Sequence, residues 1–116
     1  MSEIRQGQVY WLDFGSVKSS APAERHPCVV VQNDVFNRSA ISTSVVCLIT
    51  SNLSRAKAPG NVLLKKGEAS LPKASVVNVS QILTVAKAEL GECAGKLSST
   101  ASAAVRDGLQ LLFDRL

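Results

Sequence analysis

Two uninterrupted apolar runs constrain this chain most: Val29-Val30-Val31 and Val45-Val46-Cys47-Leu48-Ile49. Both are rich in β-branched residues, which suit a pleated backbone. Neither alternates with polar residues, so each is expected as a strand buried on both faces at the centre of a sheet or barrel. Shorter runs separated by turn residues add Val9–Phe14, Val62–Leu64 after Pro59-Gly60-Asn61, and Val76–Val79 and Ile82–Val85 after Leu71-Pro72-Lys73. With the central runs extended to Cys28–Gln32 and Val45–Ile49, six strands are predicted. The period then changes: Ala101, Val105, Leu109, Leu112 and Leu116 recur at steps of three and four, and Ser98 or Ser99 stands where an N-cap belongs. This predicts a C-terminal helix of about four turns, with Gly108 on its apolar stripe permitting close approach to the sheet. The fold class is mainly β with a C-terminal helix (α+β).

With 116 residues, 46% apolar and 19% charged, the chain fits a single domain over 1–116. Its longest uncharged stretch, 39–54, is punctuated by Ser and Thr and is shorter than the roughly 20 apolar residues of a membrane span. Met1-Ser2-Glu3-Ile4-Arg5 has no apolar signal core, so the cytosol is the expected compartment. Cys28, Cys47 and Cys93 are odd in number and widely spaced, and are read as reduced core residues. Only His26 could join them as a soft ligand, which does not support a zinc site.

The formal charge is +4, and the excess is local: residues 1–75 carry nine Lys/Arg against five acids, while 76–116 carry four of each. Such a field favours a polyanionic partner, though a surplus this small also occurs on proteins without one.

Three polar clusters sit where chemistry is possible. Arg25 and His26 precede Pro27 at the end of a long Ser-rich loop (15–24), at the entrance of a buried strand. A guanidinium stabilises phosphoryl oxygens and an imidazole exchanges protons near neutral pH, which suits phosphodiester chemistry; a solvated loop is the plainer alternative. Thr50-Ser51-Asn52 ends the most apolar strand and can donate to a phosphate or simply close a turn. Asn78, Ser80 and Gln81 form either a bulge or a set of hydrogen-bonding groups facing a groove. Lys18, Arg55 and Lys57 are further cations on loops, suited to a polyanion or to plain solvation. Trp11, central in its strand, is expected to serve packing rather than base stacking.

The order of these segments carries a resemblance. Gly7 with Tyr10-Trp11-Leu12-Asp13, Arg25-His26-Pro27 through Asp34 with Phe36-Asn37, Leu48-Ile49-Thr50-Ser51-Asn52-Leu53, Pro59-Gly60-Asn61-Val62, Leu71-Pro72-Lys73, Ser75-Val76-Val77-Asn78 with Gln81-Ile82, and Gly95-Lys96-Leu97-Ser98 resemble the MazF/PemK (Kid) family of toxin ribonucleases, in register over residues 7–113. The resemblance implies an SH3-like β-barrel of the MazF/Kid/CcdB type and a cytosolic homodimer. It further implies metal-independent endoribonuclease cleavage of single-stranded mRNA through a 2′,3′-cyclic phosphate, without a cofactor. A cognate antitoxin would lay its C-terminal tail in the RNA groove, DNA would be contacted only through that complex, and no membrane is involved.

Carried over by position, Thr50 matches the Thr that bonds the scissile phosphate. The catalytic Arg of the family stands directly before the Pro, where this chain has His26 with Arg25 one place earlier. Neighbours in an extended segment face opposite ways. The expectation is therefore that His26 transfers protons while Arg25 neutralises phosphate. Lys18, Ser51, Asn52, Arg55, Lys57, Asn78 and Gln81 are the candidate RNA-binding residues. Asn78 and Ser80 stand where the Kid branch has an Arg and Asp pair, and neither is an ordinary acid or base. Two alternatives accompany this reading: a non-enzymatic CcdB-like toxin that traps a protein, although the chain ends Phe113-Asp114-Arg115-Leu116 rather than in a Trp-Gly-Ile type terminus, and a relative that binds RNA or antitoxin without cutting.

Overall fold

The structure, a computed structural model, describes residues 3–13 and 25–116. Six antiparallel strands form it: β1 (Gln8–Asp13), β2 (Arg25–Val30), β3 (Thr43–Thr50), β4 (Val62–Leu64), β5 (Ser75–Ala86) and β6 (Leu90–Lys96). A short α1 (Asp34–Asn37) follows β2, and α2 (Ser99–Leu112) follows β6. The spatial order is β4-β5-β3-β2-β1-β6. The two continuous apolar runs therefore supply the middle strands, and Val29, Val30, Val46, Cys47 and Ile49 are buried, as burial on both faces demands.

Each face has its own core. Val9, Val29, Cys47, Ile49, Val77 and Val79 pack with Leu97 and Val105 beneath α2. Tyr10, Leu12, Cys28, Val30, Val46 and Val85 form the other core. The sheet curls so that the β4–β5 connection meets β6: a side chain at Gly95 would lie 2.8 Å from the Ala69 carbonyl oxygen, and Glu68 Oε2 accepts from the Ser98 N–H at 2.7 Å. Leu64, Ala69 and Leu71 pack into the same core as Val9 and Leu97, closing the barrel with a connection rather than a strand pair.

The structure departs from the sequence reading in four places. Val76–Val79 and Ile82–Val85 are one strand, β5, whose register against β3 jumps from Cys47↔Ile82 to Leu48↔Asn78 across a bulge. Strand β6 was not expected, because Leu90-Gly91-Glu92-Cys93-Ala94-Gly95-Lys96 has little β-branched character and is held by pairing with β1. Cys93 is consequently exposed rather than core. Helix α2 begins where expected, with Ser98 Oγ accepting from the Ala101 N–H (3.1 Å), but it ends at Leu112; Leu112 and Leu116 are exposed, so the stripe that packs is Ala101, Val105 and Leu109.

Candidate active site

β1 and β2 pair as Trp11↔Pro27, Leu12↔His26 and Asp13↔Arg25, which fixes the start of β2. Alternation along β2 sets His26 on the face of Cys28 and Val30, and Arg25 on the opposite face with Val29. The Arg25 guanidinium accordingly lies over the Trp11 ring, 5.4 Å from its centroid. Trp11 itself packs against the core beneath α2, in line with the packing role expected of it.

The β2–β3 ladder runs Val30↔Val46, Val29↔Cys47, Cys28↔Leu48. Pro27 has no N–H to add a further rung. The ladder ends at Cys28↔Leu48, and alternation beyond it leaves His26 on β2 and Thr50 on β3 on the face of Cys28, Leu48 and Val46. On the other side of β3, Leu48 pairs with Asn78 and Thr50 with Val76. Three polar groups read separately from the sequence thus stand on adjacent strands, on one face of the sheet: His26, Thr50 and Asn78.

Thr50 Oγ1 accepts from the Asn52 N–H at 3.1 Å, which closes the turn out of β3 and orients the hydroxyl. Asn52 Oδ1 then accepts from the Ser54 N–H (3.1 Å) and Ser54 Oγ (2.7 Å), capping a 3₁₀ turn, Leu53–Lys57. Asn52 Oδ1 is thereby engaged in the turn while the residue itself is exposed, as are Ser51, Arg55 and Lys57. Lys18 lies outside the described residues.

The β5 bulge presents an amide cluster. Asn78, only 7% exposed, donates from Nδ2 to Gln81 Oε1 (3.0 Å), and its Oδ1 accepts from Ser80 Oγ (3.0 Å) and more distantly from Asn61 Nδ2 (3.4 Å). The bulge is present, and within it Asn78, Ser80 and Gln81 hydrogen-bond with one another. Asn61 was missed: the Pro59-Gly60-Asn61 signal marks a turn correctly, but nothing in it shows that the side chain reaches β5. Among the described residues no group of three His, Cys, Asp or Glu side chains gathers in the manner of a metal site, and no helix is long and apolar enough to cross a membrane.

The fold is shared with toxins solved alone and in complexes. A MazE–MazF complex from Deinococcus radiodurans contains a chain that superposes with a TM-score of 0.80 at 19% identity, covering 100% of both chains. An endoribonuclease solved with its cognate antitoxin from a Mycobacterial species gives 0.79 at 23%, covering 97% of both. Sequence narrows the class further. Endoribonuclease MazF6 of Mycobacterium tuberculosis is 38% identical over 111 residues, 96% of this chain and 97% of that relative. Endoribonuclease MazF of Staphylococcus epidermidis is 34% identical over 108 residues, 93% of this chain and 89% of that relative. Residues 5–113 match the family described as PemK-like, MazF-like toxin of type II toxin-antitoxin system, and the chain belongs to that family. These endoribonuclease relatives do not favour the CcdB-like alternative.

Proposed function

We propose that residues 1–116 act as one cytosolic toxin domain that cuts single-stranded mRNA at the face shared by His26, Thr50 and Asn78, without a metal ion. The ribose 2′-oxygen attacks the adjacent phosphorus, the bond from phosphorus to the 5′-oxygen breaks, and a 2′,3′-cyclic phosphate and a 5′-hydroxyl result. His26 takes the 2′ proton, and the departing 5′-oxygen gains a proton from solvent. The Thr50 hydroxyl, oriented by the Asn52 N–H, donates to a phosphoryl oxygen. Arg25 lies on the opposite face of β2, over Trp11, so its charge draws in the RNA at longer range rather than pairing with the scissile phosphate. Lys18, Ser51, Asn52, Arg55, Lys57, Asn78 and Gln81 make the RNA-binding surface. The active form is a homodimer, inhibited by an antitoxin whose tail occupies the RNA groove.

What supports this reading is the register: continued two residues beyond Cys28↔Leu48, the β2–β3 ladder would bring His26 level with Thr50 on the face that also carries Asn78. The test uses purified protein and short single-stranded RNAs of varied sequence in EDTA, with sequencing of the ends. Cleavage with 2′,3′-cyclic phosphate ends is expected. His26→Ala should lower kcat by about 10²–10⁴ and Thr50→Val by about 10²-fold, while Arg25→Ala acts mainly on KM. Intact RNA under all conditions refutes the activity, products with a 3′-hydroxyl refute the route, and binding without cleavage identifies a relative that has lost catalysis.

A further inference from the structure

Asn61 is at the junction of two parts of the RNA surface. Its Nδ2 donates to the Arg55 carbonyl at 2.9 Å and to Asn78 Oδ1 at 3.4 Å, and its Oδ1 accepts from the Val79 N–H at 3.0 Å. Those partners fix the amide's orientation, since the flipped form would set donor against donor at Val79 and acceptor against acceptor at Arg55. The bond to Val79 also has a topological meaning. The β4–β5 ladder begins at Val62↔Val77, and β5 leaves β3 across residues 79–81 at the bulge. The Asn61 side chain therefore takes the Val79 N–H just beyond the last backbone rung. Behind it, Gly60 holds a φ of +75° and presses on the Gly108 backbone, so the turn that carries Asn61 is seated on α2.

We propose that Asn61 is the positioning residue that sets the cationic 3₁₀ turn (Arg55, Lys57) at a fixed distance from the amide bulge (Asn78, Gln81), so that both engage one RNA strand together. The inference rests on the RNA-cleaving reading given above. His26 and Thr50 are carried by β2 and β3, so loss of Asn61 acts on binding and leaves the chemical step nearly intact. Arg55 contributes fully only while Asn61 holds its backbone.

The experiment is a double-mutant cycle on the full chain, Asn61→Ala against Arg55→Ala, with kcat, KM and the Kd of a non-cleavable 2′-deoxy-substituted RNA as readouts. Asn61→Ala should raise KM and Kd by about tenfold, the size of one charge-assisted hydrogen bond, with kcat within about twofold of wild type. It should also flatten the salt dependence of Kd by about 0.7 for each phosphate that is no longer neutralised, a change that simple instability does not produce. Arg55→Ala should weaken binding by about tenfold alone and by no more than about twofold in the Asn61→Ala background. If Asn61→Ala fails to fold, Asn61→Ser carries the test: it stays neutral and polar, adds no repulsion towards RNA and is too short to span Arg55 and Val79 together, and the same weakening is expected. Additive effects, an unchanged Kd, a loss of kcat alone, or an Arg55→Ala variant that binds normally each overturn the proposal while wild-type cleavage stands. Failure of the wild type to bind or cut overturns the underlying reading instead.

Discussion

Gly108→Ala tests how closely α2 approaches the barrel. A methyl group at Gly108 would run into the Gly60 carbonyl oxygen, and would stand 3.0 Å from the Gly60 carbonyl carbon and 3.2 Å from Val79 Cγ1. The neighbour is backbone in a left-handed turn, so it cannot swing aside as a long side chain does. The helix must back away by about an ångström, an overpacking strain of roughly 1–3 kcal/mol with more where backbone meets backbone. Against this, Ala gains about 1 kcal/mol of helix propensity over Gly. Taking the upper part of the strain range leaves a net loss of about 2 kcal/mol. For a domain of this size that lowers the melting temperature by roughly 8 °C at about 4 °C per kcal/mol. Calorimetry of the variant beside Asp107→Ala, an exposed position one residue away on the same helix, separates the terms: Asp107→Ala gains propensity without a clash and should stay within about 0.5 kcal/mol of wild type. A Gly108→Ala protein as stable as Asp107→Ala refutes the close approach, and with it the seating of the Gly60 turn.

Thiol titration of the native protein should show one fast-reacting group, Cys93, and three after denaturation, because burial pushes the Cys28 thiol up to about 12 and Cys47 to about 11 and keeps both protonated and enclosed. Asp34 is held below the usual carboxylate range by the Gln6 N–H and then by the Asn37 amide, so its contribution is complete above the unfolded value of about 3.9 and fades as pH falls through the folded one. Asp34→Asn should therefore cost stability at pH 7 in melting scans, and the gap to wild type should narrow as pH falls below the unfolded value. Asn37→Ala should cost about 2–4 kcal/mol in urea titration, because Asn37 Oδ1 accepts from Gln32 and from fully buried Ser44, which would lose its partner.

What was legible in the sequence followed from burial. Strands β2 and β3 announced themselves because only a strand covered on both sides can be apolar at every position, and α2 did so because its stripe faces one core. Strand β6 was not legible: Gly91, Glu92 and Gly95 carry no strand signal, and Gly95 is there because Ala69 crosses over it. Likewise α1 is four residues long and exists through the Asn33 cap, whose Oδ1 accepts from the Val35 N–H at 2.8 Å, and the Asn37 network. The candidate site was half legible. His26, Thr50 and Asn78 stood out as polar residues at the ends of apolar runs, but their common face depends on strand register and on the β5 bulge, which no local pattern encodes. Asn61 lay wholly out of reach, since a turn asparagine looks the same whether its side chain meets solvent or a strand 18 residues away.

The chemistry of this face follows a consistent logic. The segments that build it beyond β2, residues 43–61 and 75–86, contain no Asp or Glu, and their polar side chains are amides, hydroxyls, Arg55 and Lys57. A neutral amide beside a polyanion keeps its hydrogen-bonding shape without adding repulsion, and it can be buried at the cost of partners rather than of a charge. Asn78 shows the requirement met: it is buried, and both ends of its amide are engaged by Gln81, Ser80 and Asn61. A carboxylate at that position would turn Ser80 and Asn61 into stronger donors but would leave Gln81 Oε1 facing an oxygen, and it would place a negative charge one strand from Thr50. Shape is thus held by neutral groups in the interior of the face and charge is supplied by cations at its rim, so substitutions at Asn78 should alter which RNA fits, while those at Arg55 or Lys57, or at Asn61 that positions them, should alter how tightly any RNA binds.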